Sequence, residues 1–391
     1  MGLNRRNFIR LSGAGIAGGI AISNINNAGA SQVTKNTKLP GKIIYRTLGR
    51  TGLKVPIVSL GAMRVDNPNL VKTAYESGIT FFDTAQSYGQ GRNEELLGNI
   101  LKDYKRDSFI LATKIGLRQQ LISADEFMAK VDESLSRLQM SYIDILYLHG
   151  VDNKDYILNP ELISLLENVK KTGKVKFVGL STHRNMVEVL RAAVEGKVYD
   201  VVLTSYNFKL KELTDLQNAV NEAANAGLGI VAMKTMAGAF WDKEKTKKIN
   251  TKAALKYALL NENIHTAIPG CISFDQLEDN LSIMADLQLT EQEKLDLAGD
   301  GQTSGIFCLG CENCVSQCPY NVQIPDLMRS YMYAYGYQST KLAREVIDLQ
   351  PGNNTCELCP VCNVKCKAGF NVKEKIADVY RIKNIPVEFL S

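Results

Sequence analysis

The sequence predicts an α/β protein, a closed (β/α)8 TIM barrel followed by a small, mainly helical, cysteine-rich domain. Two observations support this: eight short β-rich runs alternate with amphipathic stretches over about 250 residues, and eight of the nine cysteines lie between residues 308 and 366. Eight strand–helix units of similar length favour a closed barrel over an open, doubly wound sheet, which uses the same alternation. The predicted strands are residues 57–60, 81–84, 109–113, 143–148, 177–181, 201–204, 230–233 and 266–268.

The predicted barrel spans residues 43–300, and residues 43–55 form a hairpin before its first strand, with Gly49 and Gly52 at the turn. Helices are predicted where apolar residues recur at helical spacing between the strands. The clearest are residues 126–138, 160–171, 185–194 and 213–226. Residues 301–391 form the second domain, in which a helical, tyrosine-rich stretch at 324–349 separates two cysteine-rich segments.

The composition excludes several classes of protein. Hydrophobic residues make up 45% and charged residues 22% of the 391 residues, which is typical of globular domains and excludes wholesale disorder and a coiled-coil rod. No apolar run is long enough for a stable membrane span. The net charge of +5 is small, and the first 30 residues hold three arginines and no acid. This scattered excess predicts no nucleic-acid partner.

The first 30 residues have the layout of an export signal. Arg5 and Arg6 precede a mildly apolar, glycine-rich stretch at 11–22, and Ala28-Gly29-Ala30 provides a small-residue cleavage site. The paired arginines resemble a twin-arginine signal, so residues 1–30 are predicted to be a signal peptide and residues 31–42 a polar linker. The twin-arginine translocation machinery is then a partner and the periplasm the destination. A disordered basic tail is the alternative interpretation.

Four polar side chains are predicted to meet at one rim of the barrel. Asp83 and Lys114 close the second and third strands, His149 closes the fourth, and Tyr88 follows Asp83 by five residues. Barrel enzymes carry their chemistry at this C-terminal end of the strands. A phenol can act as a general acid, and an ammonium beside it favours the phenolate form. A carboxylate can hold that ammonium in place, and an imidazole can orient the oxygen of a substrate carbonyl. The set predicts proton transfer to a substrate carbonyl.

Several motifs around these residues resemble the aldo-keto reductase signature. They are GITFFDTAQSYG at 78–89, NEELLG at 93–98, LGRTGL at 48–53, GKVKFVGLS at 173–181 and IPG at 268–270. The resemblance covers about residues 43–300 and implies a (β/α)8 barrel that interconverts carbonyls and alcohols with a nicotinamide dinucleotide. It assigns Tyr88 as acid and base, Lys114 as its perturber, Asp83 as the lysine's partner and His149 as the orienting group.

The positions that the resemblance assigns to the cofactor depart from the family pattern. Ser181-Thr182 stands where Ser-Asn is usual, Leu203 replaces a glutamine, and Gly270 and Gln276 replace the lysine and arginine that bind the 2′-phosphate of NADP. Without a cation that phosphate is poorly held, so NAD is predicted to be favoured over NADP. The candidate cofactor-binding residues are Ser181, Thr182, Lys234, Gly270, Ser273, Gln276 and Asn280.

The cysteines form two runs of ferredoxin spacing. The first is CLGCENCVSQCP at 308–319 and the second is CELCPVCNVKC at 356–366. Eight thiolates at this spacing predict two [4Fe–4S] clusters, in which the fourth cysteine of each run ligates the other cluster. The predicted sets are Cys308, Cys311, Cys314 and Cys366 for one cluster, and Cys318, Cys356, Cys359 and Cys362 for the other. Zinc and disulfides are the alternatives.

Three functional hypotheses follow. The first is an exported, nicotinamide-dependent reductase of a small carbonyl or alcohol, with an electron-transfer domain and a possible redox partner protein. The second is an electron-transfer or docking module whose barrel does not turn over. The third gives the clusters a structural role, as a cap over an ordinary reductase.

Overall fold

The computed structural model describes residues 41–210, 214–242, 244–299, 306–350, 356 and 359–390. The predicted signal peptide and almost all of the predicted linker lie outside these residues, as does the predicted domain boundary at 300. The described residues form one compact unit, so the cysteine-rich region packs on the barrel. No helix in the described part of the chain is both long and apolar enough to cross a membrane.

Eight parallel strands form the barrel, as predicted, in the order of the sequence. Parallel bridges from Val58 to Ala267 and from Gly61 to Gly270 join the last strand to the first and close the ring. The barrel strands are β3 Leu60–Gly61, β4 Phe81–Asp83, β5 Ile110–Ile115, β6 Ile143–Leu148, β7 Val175–Thr182, β8 Val201–Ser205, β9 Gly229–Met233 and β10 Thr266–Ala267. The closed barrel, rather than the open sheet, is therefore the architecture.

The predicted hairpin precedes the barrel. Strands β1 (Tyr45–Thr47) and β2 (Lys54–Pro56) are antiparallel, with Tyr45 opposite Pro56. The chain turns through Gly49 and Gly52, whose positive φ angles of 50° and 69° suit glycine. The backbone of Gly49 also lies against residues 227–229 of the barrel, where a side chain would collide.

Helices alternate with the strands and cover the outside of the barrel. They are α1 Pro68–Glu76, α2 Arg92–Leu101, α3 Ala124–Leu138, α4 Lys154–Ile157, α5 Pro160–Lys171, α6 Met186–Glu195, α7 Thr214–Asn225, α8 Thr251–Leu260, α9 Phe274–Leu281 and α10 Glu291–Ala298. Helix α3 begins two residues earlier than predicted because Ser123 and Glu126 form a capping box. Helix α5 has the predicted bounds, with Asn159 as its N-cap and Pro160 at the first position.

Two apolar layers hold the barrel together. Side chains of alternate strand residues fill its interior, among them Phe81, Ile145, Tyr147 and Leu203. The larger layer lies between the strands and the surrounding helices. Because both faces of each strand are buried, every residue of β5 and β6 is buried, including Lys114.

The described residues of the C-terminal region include three α-helices, α11 Ile324–Tyr335, α12 Thr340–Asp348 and α13 Val372–Arg381. The single helical stretch predicted at 324–349 is thus two helices, separated at Gly336–Ser339. Ser339 ends the break by capping α12, accepting a hydrogen bond from Leu342 N. Helix α11 packs against both other helices and has as many buried residues as the two of them together.

This C-terminal domain is docked on the strand ends of the barrel. Arg184, in the loop after β7, forms ion pairs with Asp152, Glu312 and Asp326, the last two belonging to the C-terminal domain. Gly310 accepts a hydrogen bond from Asn185 N at 3.2 Å. A Cβ at Gly310 would collide with the carbonyl oxygen of His183, so the two backbones require glycine there.

Candidate active site

Asp83 and Lys114 form a buried ion pair at the C-terminal ends of neighbouring strands. Asp83 ends β4 and lies beside Ala112 of β5, which places its carboxylate next to the Lys114 side chain. The Lys114 ammonium donates to Asp83 and, at 2.7 Å, to the carbonyl oxygen of Thr84. The two residues are 2% and 1% exposed. Each partner thereby compensates the charge of the other in a dry environment.

Tyr88 and His149 complete the predicted set. Tyr88 lies in the turn after β4 and His149 directly follows β6, and their rings meet edge to face with centroids 5.7 Å apart. The Lys114 ammonium lies 4.9 Å from the centre of the Tyr88 ring. Ser87 Oγ lies 3.4 Å from His149 Nδ1. The structure therefore brings together all four side chains that the sequence predicts at this rim.

The imidazole of His149 is uncharged at neutral pH. Burial, together with the nearby cations Lys114, Arg329 and Lys234, lowers the pKa of His149 to about 3. A neutral imidazole keeps one N–H donor and one acceptor nitrogen. It can therefore donate a hydrogen bond to a carbonyl oxygen without competing with Tyr88 for the proton.

The phenol of Tyr88 differs from the sequence-based expectation. Burial raises the pKa of Tyr88 well above that of an ordinary phenol, the Asp83 carboxylate raises it further, and Arg329 opposes them. The resemblance assigns Lys114 as the group that lowers this pKa. In this arrangement Asp83 contacts the ammonium and offsets its field, and burial is the largest effect. Tyr88 is consequently a protonated donor at neutral pH.

Arg329 is the residue that sequence reasoning missed. It lies on α11 of the C-terminal domain, 16% exposed, and pairs with Asp326 at 3.1 Å. Its charge nevertheless acts on Tyr88, His149, His183 and Lys234. Tyr333, one turn further along α11, lies near Tyr88 and Lys114. The C-terminal domain thus covers the barrel mouth and contributes charge to it, an arrangement that only the docking of the two regions creates.

Two of the inner candidate cofactor residues are engaged within the protein. Ser181 Oγ accepts a hydrogen bond from Gly150 N at 3.0 Å, and Thr182 Oγ1 donates to the carbonyl oxygen of Arg184 at 2.7 Å. Leu203, in the place of the family's glutamine, is buried in the barrel interior. At these positions the wall retains the Ser181 hydroxyl as a donor and the Thr182 hydroxyl as an acceptor, and Leu203 offers no polar group.

The outer candidate residues lie at the start of α9. Gly270, Ser273 and Gln276 are exposed, whereas Asn280 is buried in the same helix. Ser273 caps α9 by accepting from Gln276 N at 3.3 Å, and Gln276 Oε1 accepts from Ile272 N at 2.9 Å. A helix N-terminus suits the phosphates of a dinucleotide, so this part of the rim fits such a cofactor. These exposed side chains carry no positive charge for a 2′-phosphate.

The structure assembles one predicted set of cysteines around a cavity. Cys308, Cys311, Cys314 and Cys366 line about 340 Å³ of space free of protein atoms, part of it open to solvent. The remaining wall is largely apolar and includes Leu309, Ile324, Pro325 and Met328. Burial raises the pKa of the Cys308 thiol to about 12, and the neighbouring thiols Cys314, Cys366 and Cys311 add to this. Three cysteines of the first run thus meet the last cysteine of the second.

The other predicted set is also grouped. Burial raises the pKa of the Cys356 thiol to about 11, and its neighbours Cys318, Cys362 and Cys359 act in the same direction. All nine cysteines are free thiols. Among the described residues, no three histidine, cysteine, aspartate or glutamate side chains converge on one point as a single metal ion requires. The first set thus surrounds a space of the kind that a four-iron cluster with four thiolates needs, and the thiols of the second set lie near one another.

Comparisons with known proteins decide the family. The model of the Aldo/keto reductase family matches residues 60–253. L-galactose dehydrogenase of Arabidopsis thaliana is 30% identical over 289 residues, which are 63% of this chain and 90% of that protein.

The chain belongs to the aldo/keto reductase family.

Other relatives of this aldo-keto reductase-like oxidoreductase agree. L-glyceraldehyde 3-phosphate reductase of Escherichia coli K12 is 30% identical over 227 residues, 52% of this chain and 64% of that protein. The holo form of an aldo-keto reductase from Bacillus halodurans superposes with a TM-score of 0.55 at 25% identity, covering 66% of this chain and 96% of its own. The C-terminal region is a 4Fe–4S dicluster domain by the match to residues 307–371.

Proposed function

We propose that this protein interconverts a small carbonyl compound and the corresponding alcohol, with Tyr88 as the general acid and base. The observation that carries the proposal is the convergence of Tyr88 and a neutral His149 beside the Lys114–Asp83 pair at the barrel mouth. Two relatives are named after L-galactose and L-glyceraldehyde 3-phosphate, which supports a small substrate. The chemistry then has one place to occur, between the phenol and the imidazole.

In the reductive direction, His149 donates a hydrogen bond to the carbonyl oxygen and fixes its orientation. As a hydride reaches the carbonyl carbon, Tyr88 transfers its proton to the oxygen, and the C=O bond becomes a CH–OH group. Arg329 stabilises the phenolate that remains until a proton returns from solvent, and the Lys114 ammonium lies against the same ring. Asp83 keeps Lys114 in position. In the oxidative direction, the Tyr88 phenolate accepts the proton of the alcohol.

The proposed cofactor is a nicotinamide dinucleotide, which supplies the hydride when it is bound. Gly270, Ser273 and Gln276 at the start of α9 would hold its adenosine end. The absence of a cation among these three side chains supports NAD rather than NADP, because a 2′-phosphate gains little without a positive partner.

We expect NAD(H) to bind at least as tightly as NADP(H) to the purified protein. Quenching of the fluorescence of Trp241 and the tyrosines during titration with each cofactor measures this. The double variant Gly270→Lys and Gln276→Arg restores the family pattern and should shift the preference toward NADP(H). A clear NADP(H) preference in the unaltered protein would contradict the prediction and assign the 2′-phosphate to another basic residue.

Two [4Fe–4S] clusters are proposed for the C-terminal domain. Cys308, Cys311, Cys314 and Cys366 would hold the first, and Cys318, Cys356, Cys359 and Cys362 the second. Bound clusters supply one-electron transfer. Cys308 and Lys234, which follows barrel strand β9, line one cavity, so the first cluster would lie beside the barrel mouth. A redox partner protein would be the source or acceptor of the electrons that the clusters carry.

One observation favours the alternative, an electron-transfer or docking module with a barrel that does not turn over. The C-terminal domain lies over the barrel mouth, and the hydroxyls of Ser181 and Thr182 are engaged within the protein. A protein of this kind would accept electrons from a chemical reductant into its clusters and oxidise no NADH in the presence of small aldehydes and ketones. Steady NADH oxidation that depends on the aldehyde would support the reductase.

Export is proposed from the first 30 residues, since a twin-arginine route carries folded proteins with their clusters already inserted. Replacing Arg5 and Arg6 together by lysine should leave unprocessed protein in the cytoplasm. Cell fractionation and the mass of the N-terminal peptide measure this, with Arg10→Lys as the matched control. Cleavage after Ala30 in the double variant would show that the paired arginines are not the signal.

A further inference from the structure

A second cavity lies between the barrel mouth and the C-terminal domain. It contains about 290 Å³ of space free of protein atoms, part of it open to solvent. Ser205 and Lys234 line it from the ends of β8 and β9, His183 from the loop after β7, and Cys308 and Arg329 from the C-terminal domain. Only about 20 Å³ of it admits the centre of a water molecule, so the enclosed part has room for one small group of a ligand rather than for a whole molecule.

The cavity brings the basic side chains of Lys234 and Arg329 together. Burial and Arg329 lower the pKa of Lys234 well below its usual value, Cys308 and Asp326 oppose that shift, and an anion bound beside Lys234 would oppose it further. The Lys234 ammonium makes no hydrogen bond or ion pair with any residue that the structure describes. Its nitrogen lies 5.9 Å from the centre of the Tyr333 ring. Arg329 pairs with Asp326, but that carboxylate also pairs with Arg184. Burial, Lys234 and Arg329 hold the pKa of His183 well below its usual value, so this imidazole adds no charge.

Ser205 adds a hydrogen-bond donor without a partner. The residue is 1% exposed, and its hydroxyl has no hydrogen-bond partner among the described residues. Buried polar groups in native proteins are almost always satisfied, and an unsatisfied one costs free energy. Since Ser205 lines the cavity, its hydroxyl can donate a hydrogen bond to a ligand oxygen there.

We propose that Lys234, Arg329 and Ser205 bind an oxyanion, a carboxylate or a phosphate, carried by the substrate. The substrate is then a small oxo or hydroxy compound with an acidic group, and the C-terminal domain completes its binding site through Arg329. The cavity lies near the reacting groups, because Lys234 and Arg329 are close enough to His149 to lower its pKa. The identity of the reacting group, a carbonyl or an alcohol, rests on the proposed function. The binding of an oxyanion in the cavity does not.

Anaerobic calorimetry on the cluster-loaded full chain tests the proposal with pyruvate, inorganic phosphate and butane-2,3-dione. The dione has the dicarbonyl shape of pyruvate but no charge, so pyruvate should bind more tightly by about tenfold or more. Lys234→Met should weaken pyruvate or phosphate by about tenfold or more, because a charge-assisted hydrogen bond is lost. Lys234→Arg should retain most of the affinity. Lys72→Met removes the same charge from an exposed position of α1 and should change nothing.

Three results would overturn the proposal. Equal affinities for pyruvate and the dione would show that charge is not recognised. A Lys234→Met variant that shifts the reduction potential of a cluster but keeps its anion affinity would assign Lys234 to the cluster alone. Loss of NADH affinity in that variant, without pyruvate or phosphate binding in the unaltered protein, would assign the cations to the dinucleotide's pyrophosphate. Failure of the proposed function would give a different result. The Tyr88→Phe variant would then turn over as fast as the unaltered protein, while pyruvate would still bind to both.

Discussion

Replacing Tyr88 by phenylalanine is expected to lower the rate of carbonyl reduction by a factor of about 10² or more. The substitution removes the only proton that the phenol can transfer and keeps the ring that packs against His149. The loss should appear in the turnover number rather than in the affinity for the substrate, because the proton moves only in the transition state. Single-turnover measurements with NADH and a small aldehyde separate the two.

The barrel offers a matched control for this substitution. Tyr147 is fully buried in the barrel interior, and its hydroxyl has no hydrogen-bond partner among the described residues. Tyr147→Phe therefore makes the same chemical change without removing an interaction, and its turnover should equal that of the unaltered protein. Equal rates for Tyr88→Phe and Tyr147→Phe would remove Tyr88 from its assigned role.

Cysteine replacements are expected to separate the two proposed clusters. Anaerobically purified protein should contain about eight irons per chain, from two four-iron sites. Cys366→Ser should damage the cluster that Cys308, Cys311 and Cys314 hold, although these residues lie about fifty positions earlier in the chain, because the four thiols line one cavity. Iron content and paramagnetic resonance of the reduced protein measure the loss.

The reciprocal variant is Cys318→Ser, which should damage the cluster of Cys356, Cys359 and Cys362 and leave the first one intact. Cys271→Ala is the control: this ninth cysteine is buried in the barrel, burial raises its pKa to about 12, and it belongs to neither set. Its iron content should be unchanged. If Cys366→Ser disturbed only the cluster of Cys356, ligation would be local to each run. Zinc in place of iron would contradict the electron-transfer role.

Most of the fold was predictable because its signals are local and repeated. Buried parallel strands appear as short apolar runs, and the helices between them show apolar residues at helical spacing. The least accurate predictions were at element ends. The first barrel strand was predicted at 57–60, whereas the regular strand is Leu60–Gly61, and residues 57–59 pair with Ala267 through single hydrogen bonds. The break at Gly336–Ser339 was missed because both of its flanks are helical and apolar.

The sequence by itself determined the barrel, the four residues at its rim and the two cysteine runs. Each of these depends on residue types at a fixed spacing within one or two neighbouring elements. Such a spacing is visible in the sequence without knowledge of the tertiary structure. Only the tertiary structure decided what surrounds them. The Lys114 charge is compensated by contact with Asp83, and Arg329 reaches Tyr88 from a helix more than two hundred residues away. Such effects depend on the distance between the charged groups and on how deeply each group is buried. Both are set only when the chain folds and the C-terminal domain packs on the barrel mouth.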